Sequence, residues 1–229
     1  SVTRDPNRAP WTQPGPVIVD FHQKLEAAGV ELILVPIPVK PMIVPEHLGI
    51  MRPLDGPLSH PGTDAFYEEL REAGVQILDL RDPFFALKEK DDVFLMRDTH
   101  WPPAAMKLCA AEIRALLSER PWYETVGQAG PWSTQTETVS GDGDLLGNLE
   151  LPDPRGAFQP QTVTIEKVFG PDGEPAVITD QSSPIVLLGD SFTNIYRDAS
   201  MGWGENAGLA QHLAMEPSTP IDTMARCWA

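Results

Sequence analysis

Apolar residues early in the chain fall at helical spacing, then in short unbroken runs, and this alternation repeats. Val17, Ile18, Phe21, Leu25 and Ala28 mark one face of a helix stopped by Gly29, and Val30–Ile37 follows as a strand. Phe66, Leu70 and Ala73 repeat the pattern in a helix over 61–73 stopped by Gly74, before a strand over Val75–Leu80. Two αβ units in succession predict an α/β fold with a doubly wound, mostly parallel sheet. Further on, a short helix is expected near Pro83–Lys88 and an extended piece over Val93–Met96. Pro102 and Pro103 then open a helix running to about Ser118, because proline suits a first helical turn. Pro184–Leu188 is a run of apolar, mostly branched residues that reads as a buried parallel strand, and a helix is expected from about Gly204 to Met215.

Between residues 121 and 183 the pattern breaks. Gly, Pro, Thr, Gln and Asp dominate, with β-prone pieces at Thr162–Phe169 and Ala176–Thr179, so the segment reads as a β-rich insertion decorating the sheet, with a hairpin as one form of it. Residues 1–15, rich in Pro, Asn, Gln and Gly, read as a lead-in loop, and 16–229 as one elaborated domain containing the insertion. The stretch Thr219–Ala229 starts like another strand with no closing helix after it, which suggests that a terminal sheet element is missing.

The chain has 229 residues, with 17 Lys and Arg against 33 Asp and Glu, for a formal charge of -16. That field disfavours nonspecific binding to nucleic acid or to anionic membrane surfaces. The longest apolar stretch, Leu32–Val39, is interrupted by Pro36 and Pro38 and is far shorter than the roughly twenty residues of a membrane span. The chain starts at Ser1 rather than Met, so the lack of a leader says nothing about compartment. Cys109 lies on an apolar helical stripe and Cys227 near the end; one disulfide between them is neither required nor excluded.

Two short strings carry the candidate chemistry: Asp98-Thr99-His100-Trp101, and Gly189-Asp190-Ser191-Phe192 just past the predicted strand. Gly-Asp-Ser alone is ordinary turn chemistry, and an Asp near a helix start is often a cap. Together the strings supply a hydroxyl nucleophile, an imidazole to carry its proton and a carboxylate to orient that imidazole. Ser191, His100 and Asp98 are the candidates, Ser191 standing at the carboxyl edge of the sheet where open α/β folds place their sites. The Ser191 backbone N–H is the first candidate donor to an oxyanion, with Asn194, Asn148 or the backbone at Gly143 as a second. Trp101 offers either a stacking face for a sugar or a core side chain. His22, His47, His60 and His212 lack metal-ligand spacing, and no cofactor motif is present.

These blocks resemble SGNH hydrolases, with two departures. The Asp/His block precedes the serine, and one residue rather than two separates Asp98 from His100. Permuted order with Asp-x-His-Trp is similar to the polysaccharide O-acetyltransferases of the alginate type, the AlgX and AlgJ-like domains. "VPIPVKP", "GDLLGNLELP", "LLGDSFTNIY" and "WGENAGLAQHLA" agree with that likeness, which covers roughly 16–229. The resemblance implies a periplasmic or secreted enzyme that moves acetyl groups through an acyl-serine onto hydroxyls of an exopolysaccharide. It also implies a membrane-bound acyltransferase as acetyl supplier. The acidic balance favours neutral or lightly charged glycans over alginate itself. A carbohydrate acetylesterase with the same triad and a noncatalytic glycan-binding protein of the same fold are the alternatives.

Overall fold

The computed structural model describes residues 14–49, 54–126, 131–148, 156, 158–215 and 221–226. The lead-in segment and Cys227 fall almost wholly or wholly outside these residues.

Helix α1 (Pro14–Ala27) leads into β1 (Ile33–Leu34), and after a short α2 (Lys40–Ile43), α3 (Pro61–Glu72) leads into β2 (Gln76–Ile77). His60 caps α3, its Nδ1 accepting from the Gly62 N–H at 3.0 Å. The strands pair in parallel, Ile33 with Gln76 and Leu34 with Ile77, as two successive αβ units require. The pairing is shorter than the apolar runs. Pro36 and Pro38 have no N–H to offer a ladder, so β1 ends where they begin.

Helix α4 (Arg81–Leu87) is followed by a segment that the apolar pattern marks as extended but that forms bends instead. Val93, Phe94 and Leu95 are buried, so their composition serves the core, while the Leu95 N–H donates to the His100 carbonyl at 3.0 Å and closes a loop. Helix α5 (Pro103–Ser118) buries Ala105, Met106, Cys109, Ala110, Ile113 and Leu117 on one stripe. Cys109 is a free thiol there, pushed by burial up to about 12, and acts as a small apolar side chain.

The segment read as decoration is built into the body of the fold. β3 (Ser133–Gly141) and β4 (Gln161–Phe169) form a nine-pair antiparallel ladder, and β4 places Ile165 and Val168 in the core against α5. Ala176–Thr179 adds no strand, although the Ile178 carbonyl accepts from Thr223 N at 2.9 Å.

β5 (Val186–Gly189) runs into α6 (Ser191–Asn194), and α7 (Leu209–Met215) precedes β6 (Asp222–Ala225), which pairs with β5 in parallel. The expected burial of β5 on both faces is not met: Ile185 and Leu187 pack against the core, whereas Val186 and Leu188 are 54% and 55% exposed. The expected helix from Gly204 starts only at Leu209, because Gly204 and Asn206 hold left-handed φ values of 89° and 58° that a right-handed helix cannot continue. Across the described residues the strands thus form three two-stranded pairs, two parallel and one antiparallel, with helices packed on them in an α/β arrangement.

Candidate active site

The loop between α4 and α5 sets Asp98 and His100 side by side in the interior, 3% and 4% exposed. Lys40, at the start of α2, donates from Nζ to the Leu95 carbonyl at 2.6 Å and ties the loop down from the other side. Asp98 Oδ1 accepts from the His100 backbone N–H at 3.0 Å and faces His100 Nδ1 at 2.6 Å. Asp98 Oδ2 accepts from Trp203 Nε1 at 2.8 Å and from the Asp144 backbone N–H at 3.1 Å. Burial by itself raises the Asp98 carboxyl, but hydrogen bonds from the His100 side chain, the His100 backbone and Trp203 outweigh it and hold the group below the usual carboxylate range. Asp98 is therefore an ionised, four-donor anchor for the imidazole. Nδ1 is directed at that carboxylate, and Nε2 is buried with no hydrogen-bond partner among the described residues.

Asp98, His100 and Asp144 bring ligand-type atoms within 4.8 Å of one another, the spacing a metal ion needs. Asp98 accepts from four donors and Asp144 from the Thr99 N–H and hydroxyl, so hydrogen bonds already tie the trio into one network.

The serine block reaches the same place from β5. Asp190 caps α6, accepting from the Phe192 N–H at 2.9 Å, and makes Ser191 the first residue of that short helix. The Phe192 ring lies 4.8 Å from the His100 ring and edge-on to Trp101 at 5.2 Å. Five residues beyond Ser191, the Tyr196 hydroxyl donates to the Trp101 carbonyl at 2.9 Å. The fold thus joins both sequence blocks through two aromatic side chains, while Ser191 and His100 Nε2 make no hydrogen bond.

A cavity of about 670 Å³ opens beside His100, its wall including Asp98, Asp142, Asp144, Met201 and Trp203. Ser191 is not among its lining residues. Gly143 is, and its φ of 86° together with a position where a Cβ would stand 2.1 Å from the Arg97 carbonyl oxygen makes glycine obligatory there. The other sequence candidates sit elsewhere. Trp101 is fully buried against Phe84 and Phe192, so it offers no face to a sugar and serves the core. Asn194 is buried within α6 with its side-chain oxygen turned to Arg197, and Asn148 is exposed outside the cavity lining.

Sequence reasoning passed over Trp203, Asp144, Phe192, Tyr196 and Lys40. Each lies in one of the strings already singled out, but nothing in a string says that Trp203 reaches a carboxylate 105 positions away.

Residues 2–222 match the family described as SGNH hydrolase-like domain, acetyltransferase AlgX. The chain belongs to that family. The AlgX-type domain is 29% identical over 204 residues to a probable alginate O-acetylase AlgJ of Pseudomonas syringae pv. tomato, covering 86% of this chain and 50% of the relative. It spans about half the length of the relatives it matches in this way. The O-acetyltransferase domain of Pseudomonas putida AlgJ superposes with a TM-score of 0.69 at 22% identity, over 93% of this chain and 69% of that one. Pseudomonas aeruginosa AlgX gives 0.61 at 18%, over 94% and 50%. These likenesses establish the SGNH hydrolase-like fold for the AlgX-type domain.

Proposed function

We propose that this domain is a serine-dependent O-acetyltransferase that moves an acetyl group through acetyl-Ser191 onto a hydroxyl of an exopolysaccharide outside the cytoplasm. The observation that carries the reading is the placement of His100: Nδ1 is held by an ionised carboxylate, and Nε2 is buried beside the Ser191 block with no partner among the described residues. In the first transfer, His100 Nε2 takes the hydroxyl proton as Ser191 Oγ attacks the acetyl carbonyl. The tetrahedral intermediate collapses, and the leaving group departs with the proton from His100. In the second transfer, Nε2 deprotonates a sugar hydroxyl that attacks the acetyl ester, and Ser191 leaves with that proton. Asp98 remains ionised and stabilises the imidazolium formed in each step. The Ser191 backbone N–H serves the oxyanion, with the Gly143 backbone, on the cavity wall, as the second candidate. The Ser191–His100 hydrogen bond forms in the substrate complex, since such bonds commonly tighten only there.

Membership of an acetyltransferase family and relatives named alginate O-acetylase support transfer to a polysaccharide. A membrane-bound acyltransferase is the upstream acetyl source in this proposal. The chain's acid excess works against a polyuronate acceptor, so both acceptor classes belong in the test. Wild type and Ser191→Ala are compared for turnover of a chromogenic acetyl ester, with alginate and neutral oligosaccharides present, and acetylated sugar is followed by mass spectrometry. Ser191-dependent acetylated sugar is expected. Free acetate alone would make the domain an esterase, and turnover unchanged in Ser191→Ala would overturn the nucleophile.

A further inference from the structure

We propose that Asp144 is a second carboxylate partner of His100, positioning the imidazole and stabilising its protonated form alongside Asp98; this rests on the reading of His100 as the proton carrier. Asp144 follows the Gly143 turn, in the connection between β3 and β4, and is locked onto the His100 loop in both directions. Its backbone N–H donates to Asp98 Oδ2 at 3.1 Å, and the next residue, Leu145, donates to the Arg97 carbonyl at 3.1 Å. Its carboxylate accepts from the Thr99 N–H at 2.8 Å through Oδ1 and from the Thr99 hydroxyl through Oδ2.

This arrangement orients Thr99 as well. A hydroxyl whose hydrogen points to Asp144 turns a lone pair elsewhere, and Thr99 Oγ1 lies 3.3 Å from His100 Nδ1. Asp144 Oδ2 itself stands 3.7 Å from Nδ1. Three acceptors, Asp98 Oδ1, Thr99 Oγ1 and Asp144 Oδ2, therefore face one ring nitrogen. They hold the proton on Nδ1 and keep Nε2 as the free base. A positive charge appearing on the ring during proton transfer is met by two carboxylates of different character, Asp98 buried and Asp144 with 41% of its side chain exposed on the cavity wall. Among the described residues, Asp142 stands on the same wall, and the Lys40 ammonium is within electrostatic reach of both Asp98 and Asp144.

The test is side-chain nitrogen NMR of the intact chain with 15N-labelled histidine, the His100 signals being assigned by their loss in His100→Gln. In Asp144→Asn, which keeps the shape and an acceptor for the Thr99 N–H, the protonation midpoint of the His100 ring falls by about half to one pH unit, as expected for removing one charge at this distance in a partly solvated setting. Asp144→Ser, equally uncharged and smaller, shows the same direction. The acid limb of the ester-turnover profile moves to lower pH by the same amount. A midpoint unchanged in both folded variants would overturn the role for Asp144, because a merely structural clamp has no reason to move it. The NMR midpoint does not depend on turnover. A shifted midpoint in a protein without Ser191-dependent activity would therefore reject the acetyltransfer reading and leave the Asp144–His100 coupling established.

Discussion

Replacing Trp203 by Phe isolates one support of the Asp98 carboxylate. The indole Nε1 donates to Asp98 Oδ2 at 2.8 Å, and both residues are almost fully buried, so water does not replace the lost donor. A hydrogen bond to a charged group contributes about 1.5–3 kcal/mol, and an ionised carboxylate left with three donors in place of four suffers in the folded protein. Because Asp98 holds His100 through Oδ1 and is itself steadied through Oδ2, the loss reaches the base directly. If most of it appears in the transition state, where His100 is positively charged, ester turnover falls by about 10- to 100-fold. The assay is kcat and KM for a small acetyl ester, with thermal unfolding measured in parallel. The fall is expected in kcat, since the lost indole N–H acts on the Asp98 carboxylate that holds His100. A folded Trp203→Phe protein within about twofold of wild-type kcat would refute the idea that Asp98 depends on this donor.

Two more expectations concern stability. Desolvation by burial lowers His212 to about 4 from 6.5, so between those values the unfolded chain binds more protons than the folded one. Stability attributable to His212 is thus fully present above about 6.5 and lost as pH falls toward 4, by about 3 kcal/mol in all; urea unfolding across this range should show the slope, and His212→Gln should flatten it. The depressed carboxylates Asp64, Asp79 and Asp98 lose their contributions only below their usual value of 3.8, outside that window. Tyr196→Phe removes the donor to the buried Trp101 carbonyl and should cost about 1–3 kcal/mol in urea unfolding, with a loss under about 0.5 kcal/mol showing that this contact does not staple the two blocks.

Local patterning was sufficient for the elements whose boundaries are set by nearest neighbours. Helix α5 starts at Pro103 and ends at Ser118 because a proline opens it and an apolar stripe continues to Leu117, and the helix over 61–73 stops at its glycine for the same kind of reason. The parallel sense of β1 and β2 follows from the helix between them. The misread elements are those answering to distant partners. Val93, Phe94 and Leu95 are apolar because the loop carrying Asp98 packs against the core, and a sequence window cannot distinguish that from a strand. The segment over 121–183 is too polar to look central, yet β4 enters the core and the connection after β3 supplies the cavity wall.

The candidate site divides the same way. Asp98 and His100 were legible because two positions in one loop can meet without help from the rest of the chain, and their 2.6 Å contact is local. Ser191 was legible as a residue placed just past a strand. The sequence by itself therefore determined the chemical residue types, the αβ repeat and the order of the blocks. Only the tertiary structure decided that Trp203 and Asp144 complete the shell of Asp98, that Trp101 is core rather than a sugar platform, and that His100 Nε2 has no partner among the described residues. Hydrogen bonds and burial are set by distances between segments far apart in the chain, and those distances exist only once the elements have packed.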